Sequence, residues 1–197
     1  MTAGIAIDID GERVVTVATE GLEMLDVRLH GDIISEEFAT LDVTGSSFGE
    51  DGAHKFLIWI GDRLVAPKTE VEVTLLDGAE TSLPGKSIDE MYPAGEQEDK
   101  SWEPTEAIYA ELAARPHTRA GFGFALVAPG APVITSRTAP GDHSFAFVVS
   151  WTKFHPEIAR VSLSSNSLES IRTRTGGTKH AELRMGLNDK VTIRVDG

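Results

Sequence analysis

The chain is written largely in a two-residue rhythm. Leu25-Asp26-Val27-Arg28-Leu29-His30 and Thr69-Glu70-Val71-Glu72-Val73-Thr74-Leu75 alternate apolar and polar side chains without a break. Successive side chains of a strand point to opposite faces, so each of these segments has one dry face and one wet face. Residues 5–9, 14–17, 39–43 and 55–60 also have strand character. Beyond the middle of the chain, so do 122–127, 133–136, 145–151, 159–163, 181–185 and 190–195. Asp10-Gly11 suits a tight type I′ turn between the first two segments, and Asn188-Asp189 supplies the turn between the last two. Phe56-Leu57-Ile58-Trp59-Ile60 lacks alternation and is predicted to be covered on both faces. The pattern predicts a mainly β fold, with antiparallel sandwich-like or barrel-like sheets.

The rhythm stops after Asp77-Gly78. Pro84, Gly85, Pro93, Gly95 and Pro104 punctuate an acidic stretch read as a connector over residues 79–103, with a helical turn at Ser87 to Met91. One α-helix is predicted near residues 104–115, with Pro104 in its first turn, Ile108 and Leu112 one repeat apart, and Arg115-Pro116 as its end. A second helical turn is predicted at Leu168 to Arg172, capped by Ser165 or Asn166. The expected organisation is an acidic β-rich region (1–78), the connector, and a helix plus β-rich region (104–197), or one continuous domain if the connector crosses a shared core. A faint internal repeat sets residues 26–29, 54–60 and 70–73 against 160–163, 180–185 and 190–195.

Charge is divided unevenly. Residues 1–97 hold 20 Asp and Glu against 6 Lys and Arg, a net of −14, whereas residues 98–197 hold 11 against 12. The acidity of the first half argues against nucleic acid and anionic lipid as its partners. Cys is absent, which removes disulfides, thiol nucleophiles and thiolate metal sites. The N-terminus lacks a basic stretch followed by an apolar run, and no apolar run could span a bilayer. A cytoplasmic protein without membrane association is expected.

Several patterns invite a catalytic reading. Gly45-Ser46-Ser47-Phe48-Gly49 matches a nucleophile elbow, but a strand rather than the required helix is predicted after it. Ser150 with Lys153, Ser164-Ser165-Asn166 and Arg174-Thr175-Gly176 follow the order of the three serine β-lactamase motifs. Ser150 and Lys153 nevertheless sit on a strand, where a spacing of three turns them to opposite faces. Asp8, Asp10 and Glu12 cluster at the first turn without the glycine and glutamate of a calcium loop. His180 and Glu182 are expected to share a strand face and could act as an acid–base pair. Ser47, His54, His180 and Glu182 are thus the catalytic candidates, with no metal and no cofactor implied. Trp59 and Trp151 read as core or core-edge residues, and Trp102, among charges and prolines, is expected to pack the connector and helix onto a sheet.

Alternation converts the charge division into surfaces. Asp26, Glu70 and Glu72 are predicted to share a solvent-facing acidic surface, opposed by a basic one built from Arg172, Arg174, Lys190 and Arg194. Such faces can meet each other, in one chain or between copies, or steer a separate partner. The expected function is a non-catalytic protein-binding module, an inhibitor or immunity-type protein for a basic partner. The alternative is a hydrolase or other enzyme whose site is assembled from distant residues.

Overall fold

The computed structural model of the protein describes residues 2–48, 54–91 and 105–197. Every segment with strand character forms a strand: β1 (Ala3–Ile9), β2 (Glu12–Ala18), β3 (Met24–Asp32), β4 (Ala39–Phe48), β5 (His54–Val65), β6 (Glu70–Asp77), β7 (Gly123–Val127), β8 (Ile134–Arg137), β9 (Asp142–Thr152), β10 (Ile158–Ser167), β11 (Thr178–Gly186) and β12 (Lys190–Asp196). Three short helices join them: α1 (Ile88–Met91), α2 (Glu106–Ala114) and α3 (Leu168–Thr173). The strands build two antiparallel sheets. The front sheet runs β2-β1-β6-β12-β7-β8 and the back sheet runs β11-β10-β9-β3-β4-β5.

The sheets pack face to face as a sandwich. Leu25, Val27 and Leu29 of β3 and Phe145, Phe147 and Val149 of β9 meet Ile5, Ile7, Val71, Val73, Phe124 and Ile193 of the front sheet in one buried cluster. Between them Asp26, Arg28, Glu72, Thr74, Thr192 and Ser150 point outward, so the two-residue rhythm has become two inner faces and two outer ones. Phe122, Phe124 and Phe145 stack with centroids 4.6 and 5.3 Å apart and fill one end of that core.

Both sheets draw on both halves of the chain, and the halves follow one course. β1 to β6 contribute β2-β1-β6 to the front and β3-β4-β5 to the back, while β7 to β12 contribute β8-β7-β12 and β9-β10-β11. The halves join where β6 meets β12 and where β3 meets β9. Glu72 faces Thr192 at the first join and Arg28 faces Val148 at the second. Thr40 faces Leu64 on β4–β5 as Arg160 faces Arg184 on β10–β11. Each of these counterparts is separated by the same sequence offset, as a pseudo-two-fold axis through both joins requires. Even an irregularity repeats: the register slips after Val43 in one pair and after Leu163 in the other, leaving Trp59 and His180 as the extra residues. The faint sequence repeat had matched β5 with β11 and β6 with β12. It mismatched β3 with β10, and it aligned His54 with His180, whose true counterpart is Trp59.

Local chemistry accounts for the turns and caps. Asp10 (φ 50°) and Gly11 (φ 81°) both take the left-handed conformation of a type I′ hairpin. Ser87 and Glu90 form a reciprocal cap on α1: the Ser87 N–H donates to Glu90 Oε2, and Ser87 Oγ accepts from the Glu90 N–H. Thr105 caps α2, which ends at Arg115 before Pro116. Ser167, not Ser165 or Asn166, caps α3, because Ser165 is drawn into the interior. Residues 81–86 shield one open side of the sandwich, with Thr81 and Ser82 accepting from the Ala18 and Thr16 N–H groups on edge strand β2. Lys86 pairs with Ile58 on edge strand β5. In β5, Leu57 and Trp59 pack on the core and Ile58 is buried outside it, so the run without alternation does have two covered faces. Trp102 and part of the connector lie outside the described residues.

Candidate functional site

The four catalytic candidates are not brought together. Ser47 lies in β4 and pairs with Lys55 of β5, so the small-residue run belongs to a strand as far as Phe48, Gly49 lies outside the described residues, and Ser47 Oγ makes no hydrogen bond among the described residues. His54 is exposed, with its ring 5.0 Å from that of Phe48. His180 and Glu182 were expected on one strand face, and the register slip overturns this. As the extra residue of the bulge, His180 turns inward onto Phe124 of the front sheet, with ring centroids 5.0 Å apart, while Glu182 stays outside and pairs with Lys179. Ser150 and Lys153 are likewise separated, bonding to Asp26 and Glu23 respectively.

One serine does join a histidine and an aspartate. Ser165 is fully buried; its Oγ lies 2.5 Å from Asp142 Oδ2 and 2.8 Å from His180 Nε2. The hydroxyl has one hydrogen, which goes to the carboxylate, so His180 Nε2 must donate to the serine oxygen. A nucleophilic serine needs the reverse, with the imidazole accepting its proton. Asp142 also accepts from the Ala139 N–H, and burial holds His180 below the ordinary histidine range against the pull of Asp142. The arrangement ties β9, β10 and β11 together at a bulge. Among the described residues, no group of three or more His, Asp or Glu is placed to hold a metal.

The charged residues divide differently from expectation. Glu70 and Glu72 project from the front sheet, but Asp26 projects from the back sheet on the opposite side of the sandwich, so the three do not share a surface. Burial raises the Asp26 carboxyl, against the Ser150 hydrogen bond and the charge of Arg28. The acidic and basic strands of the front sheet are neighbours within one chain. Lys190 Nζ lies 2.8 Å from Glu72 Oε2, and Arg194 stands opposite Glu70 in the register. Arg13 Nε donates to Asp8 at 2.8 Å on the same face. Arg172 bridges Glu169 at 2.7 Å and Glu106 of α2 at 3.2 Å, and Arg174 forms the left-handed C-cap of α3. Of these basic residues, Arg172 and Lys190 are paired within the chain.

The outer face of the back sheet holds two depressions related by the pseudo-two-fold axis. One, of about 340 Å³, is lined by His30, Asp32, Glu37, Thr40, Asp62 and Leu64. The other, of about 470 Å³, is lined by Ser150, Thr152, Phe154, His155, Arg160 and Arg184 among others, and adjoins a further hollow over Ser162 and Glu182. Ser150, Thr152, Arg160 and Arg184 stand where His30, Asp32, Thr40 and Leu64 stand in the first half, so duplicated positions carry different chemistry.

The acidic depression is built on a tightly held loop. The Arg119 guanidinium donates to the carbonyls of Asp32, Ser35, Glu36 and Glu37, and lies over the rings of Phe38 and Phe122. Thr118 donates to the carbonyls of Ile33 and Ser35. Asp32 accepts from the N–H groups of Ile34 and Ser35 and from the Ser35 hydroxyl. Burial works to raise this carboxyl, but these bonds and the charge of His143 hold it below the usual range. Asp42, beside the depression, is lowered in the same way: His30 at 2.9 Å and the Asp62 N–H outweigh its burial. The role of Arg119 was not legible in sequence, because its acceptors are backbone carbonyls more than 80 positions away. Comparison with protein-family models, with curated proteins and with solved structures finds no match to this chain.

Proposed function

We propose that this protein is a binding module for another protein with a basic contact surface, acting as an inhibitor or immunity-type factor. The observation that carries this reading is the loop over residues 32–37. It presents Glu36 and Glu37, exposed and without an ion pair among the described residues, on a backbone immobilised by Arg119 and Thr118. A charge held on a fixed backbone loses little entropy when a partner docks. The front sheet offers less, since Asp8 and Glu72 are already neutralised by Arg13 and Lys190. The net charge of −13 favours encounter with a basic partner and weakens with salt.

The test is crosslinking in extracts of cells that make the protein, with each captured protein quantified. Wild type is expected to retain a partner with a basic surface, and Glu36→Lys with Glu37→Lys to lose it. A control reversal at Glu12 and Glu20 should keep it. Equal losses from both pairs of reversals, or captured proteins without basic surfaces, would refute the reading.

A further inference from the structure

We propose that the depression over β9, β10 and β11 is a binding site for a phosphate monoester carried on an apolar or aromatic body. Arg160 and Arg184 take the phosphate, and Phe154 with Ile158 takes the body. This site is independent of the acidic loop and lies in the other half of the back sheet.

The argument begins with a cost. Arg160 and Arg184 are directly opposite each other across an antiparallel pair, on one face. Like charges so placed oppose folding. Neither guanidinium makes a hydrogen bond or ion pair among the described residues. The nearby Glu182 is already bonded to Lys179, and both arginines merely add to the field that holds its proton affinity down, while Asp26, further along the same row of the sheet, accepts from Ser150. The fold does not require this pair, because the equivalent positions in the first half hold Thr40 opposite Leu64 and build the same strands. An unneutralised arginine pair in a hollow, at a position where the fold accepts neutral residues, points to an anion that completes it.

The chemistry of the hollow narrows the anion. Ser150 gives its hydrogen to Asp26, so the two arginines supply the guanidinium donors, beside Thr152 and His155. A carboxylate has two oxygens and satisfies one guanidinium fork. A phosphate monoester has three terminal oxygens and a charge of about −1.5 to −2, enough to engage two forks at once. Beside the forks, Phe154 is 74% exposed and Ile158 is half-buried, so an apolar surface adjoins the cationic one. A ligand with both parts buries both.

The experiment titrates the whole protein at low ionic strength with phenyl phosphate, inorganic phosphate and benzoate. It follows heat and the Nε–H resonances of the arginines. Phenyl phosphate should bind more tightly than either of the others and move two arginine resonances. Arg160→Gln and Arg184→Gln should each weaken it by about tenfold or more, the expectation for losing a charge-assisted hydrogen bond. Phe154→Ala should remove the advantage over inorganic phosphate while leaving inorganic phosphate unchanged. Without ligand, Arg184→Gln should be at least as stable as wild type, since it relieves the opposed charges. A short phosphotyrosine peptide separates the sources: tighter binding than phenyl phosphate assigns the site to a modified polypeptide, and equal binding assigns it to a small phosphate ester. Equal affinity for benzoate and phenyl phosphate, no response at millimolar ligand, or binding unaffected by Arg184→Gln would overturn the proposal. So would marked destabilisation by that variant, which would make the pair a structural element.

Discussion

Ser165 shows how a single side chain changes meaning once its surroundings are known. Its fully buried hydroxyl bridges Asp142 and His180, both partly exposed, so its loss takes one hydrogen-bond partner from each. Ser165→Ala should destabilise the protein by about 1–3 kcal/mol in equilibrium denaturation, the range for losing hydrogen bonds of which one is to a carboxylate. The same enclosure sets a pH dependence. His143 and His180 both hold protons less readily in the folded chain, chiefly because burial disfavours the imidazolium. Asp32 and Asp142 pull the other way, and His117 adds to the lowering at His143. Just below the ordinary histidine value of about 6.5, the unfolded chain therefore binds more protons than the folded one. Stability should fall as pH drops through that value, and the fall should shrink in His143→Asn and His180→Asn. A denaturation midpoint that stays level from pH 7 to 5.5 would contradict this. At Arg119, substitution by Ala removes a donor shared among four carbonyls. An expected loss of about 2–3 kcal/mol should come with faster amide exchange confined to residues 32–38.

At the scale of elements, the two matching bulges repay comparison. Trp59 and His180 are both extra residues and both turn inward, yet they meet different neighbours. Trp59 lies between Gly45 and Gly85, where an added methyl would come within 2.9 Å of the indole at either position. Gly45→Ala must also push on the Met24 carbonyl at 3.0 Å and is expected to cost about 1–3 kcal/mol, as overpacking does. Thermal denaturation would register it, and a neutral result would mean that β5 shifts freely at its edge. These glycines carry no sequence signal beyond their identity, because the ring that excludes a side chain at both comes from β5, remote in sequence from Gly45 in β4 and from Gly85 in the segment after β6. Strand existence was legible from alternation. The inward turn of His180 was not, because a bulge is a property of two strands in register and not of either alone.

For the whole molecule, the way the halves join has a direct consequence. Each half contributes three strands to each sheet, and the halves meet edge to edge, with β6 bonded to β12 and β3 to β9, so either half alone leaves two central strand edges unpaired. Fragments 1–97 and 98–197 expressed separately should lack cooperative unfolding. Mixed together, they should regain the far-ultraviolet spectrum of the intact chain. A fragment that folds alone would show that one half carries a sufficient core. The charge division reads differently at this scale too. Glu72 with Lys190 and Asp8 with Arg13 pair inside one copy, so the mass in solution should not change between low and high salt.

By itself the sequence determined the strands, their dry faces, the hairpin at Asp10-Gly11 and the helix before Arg115-Pro116. Each of these follows from residues close together along the chain: side-chain alternation, a left-handed turn, a capped helical run. Tertiary structure decided what lies beside what. It placed Asp26 on the opposite side of the sandwich from Glu70 and Glu72, paired the acidic strand β6 with the basic strand β12, turned His180 inward and set Arg160 against Arg184 in a hollow. All of these depend on strand order and register, which are fixed by long-range pairing and by the closure of one shared core. That is why the rhythm of the chain announced a sandwich, while which residues share a surface emerged only when the two halves were laid together.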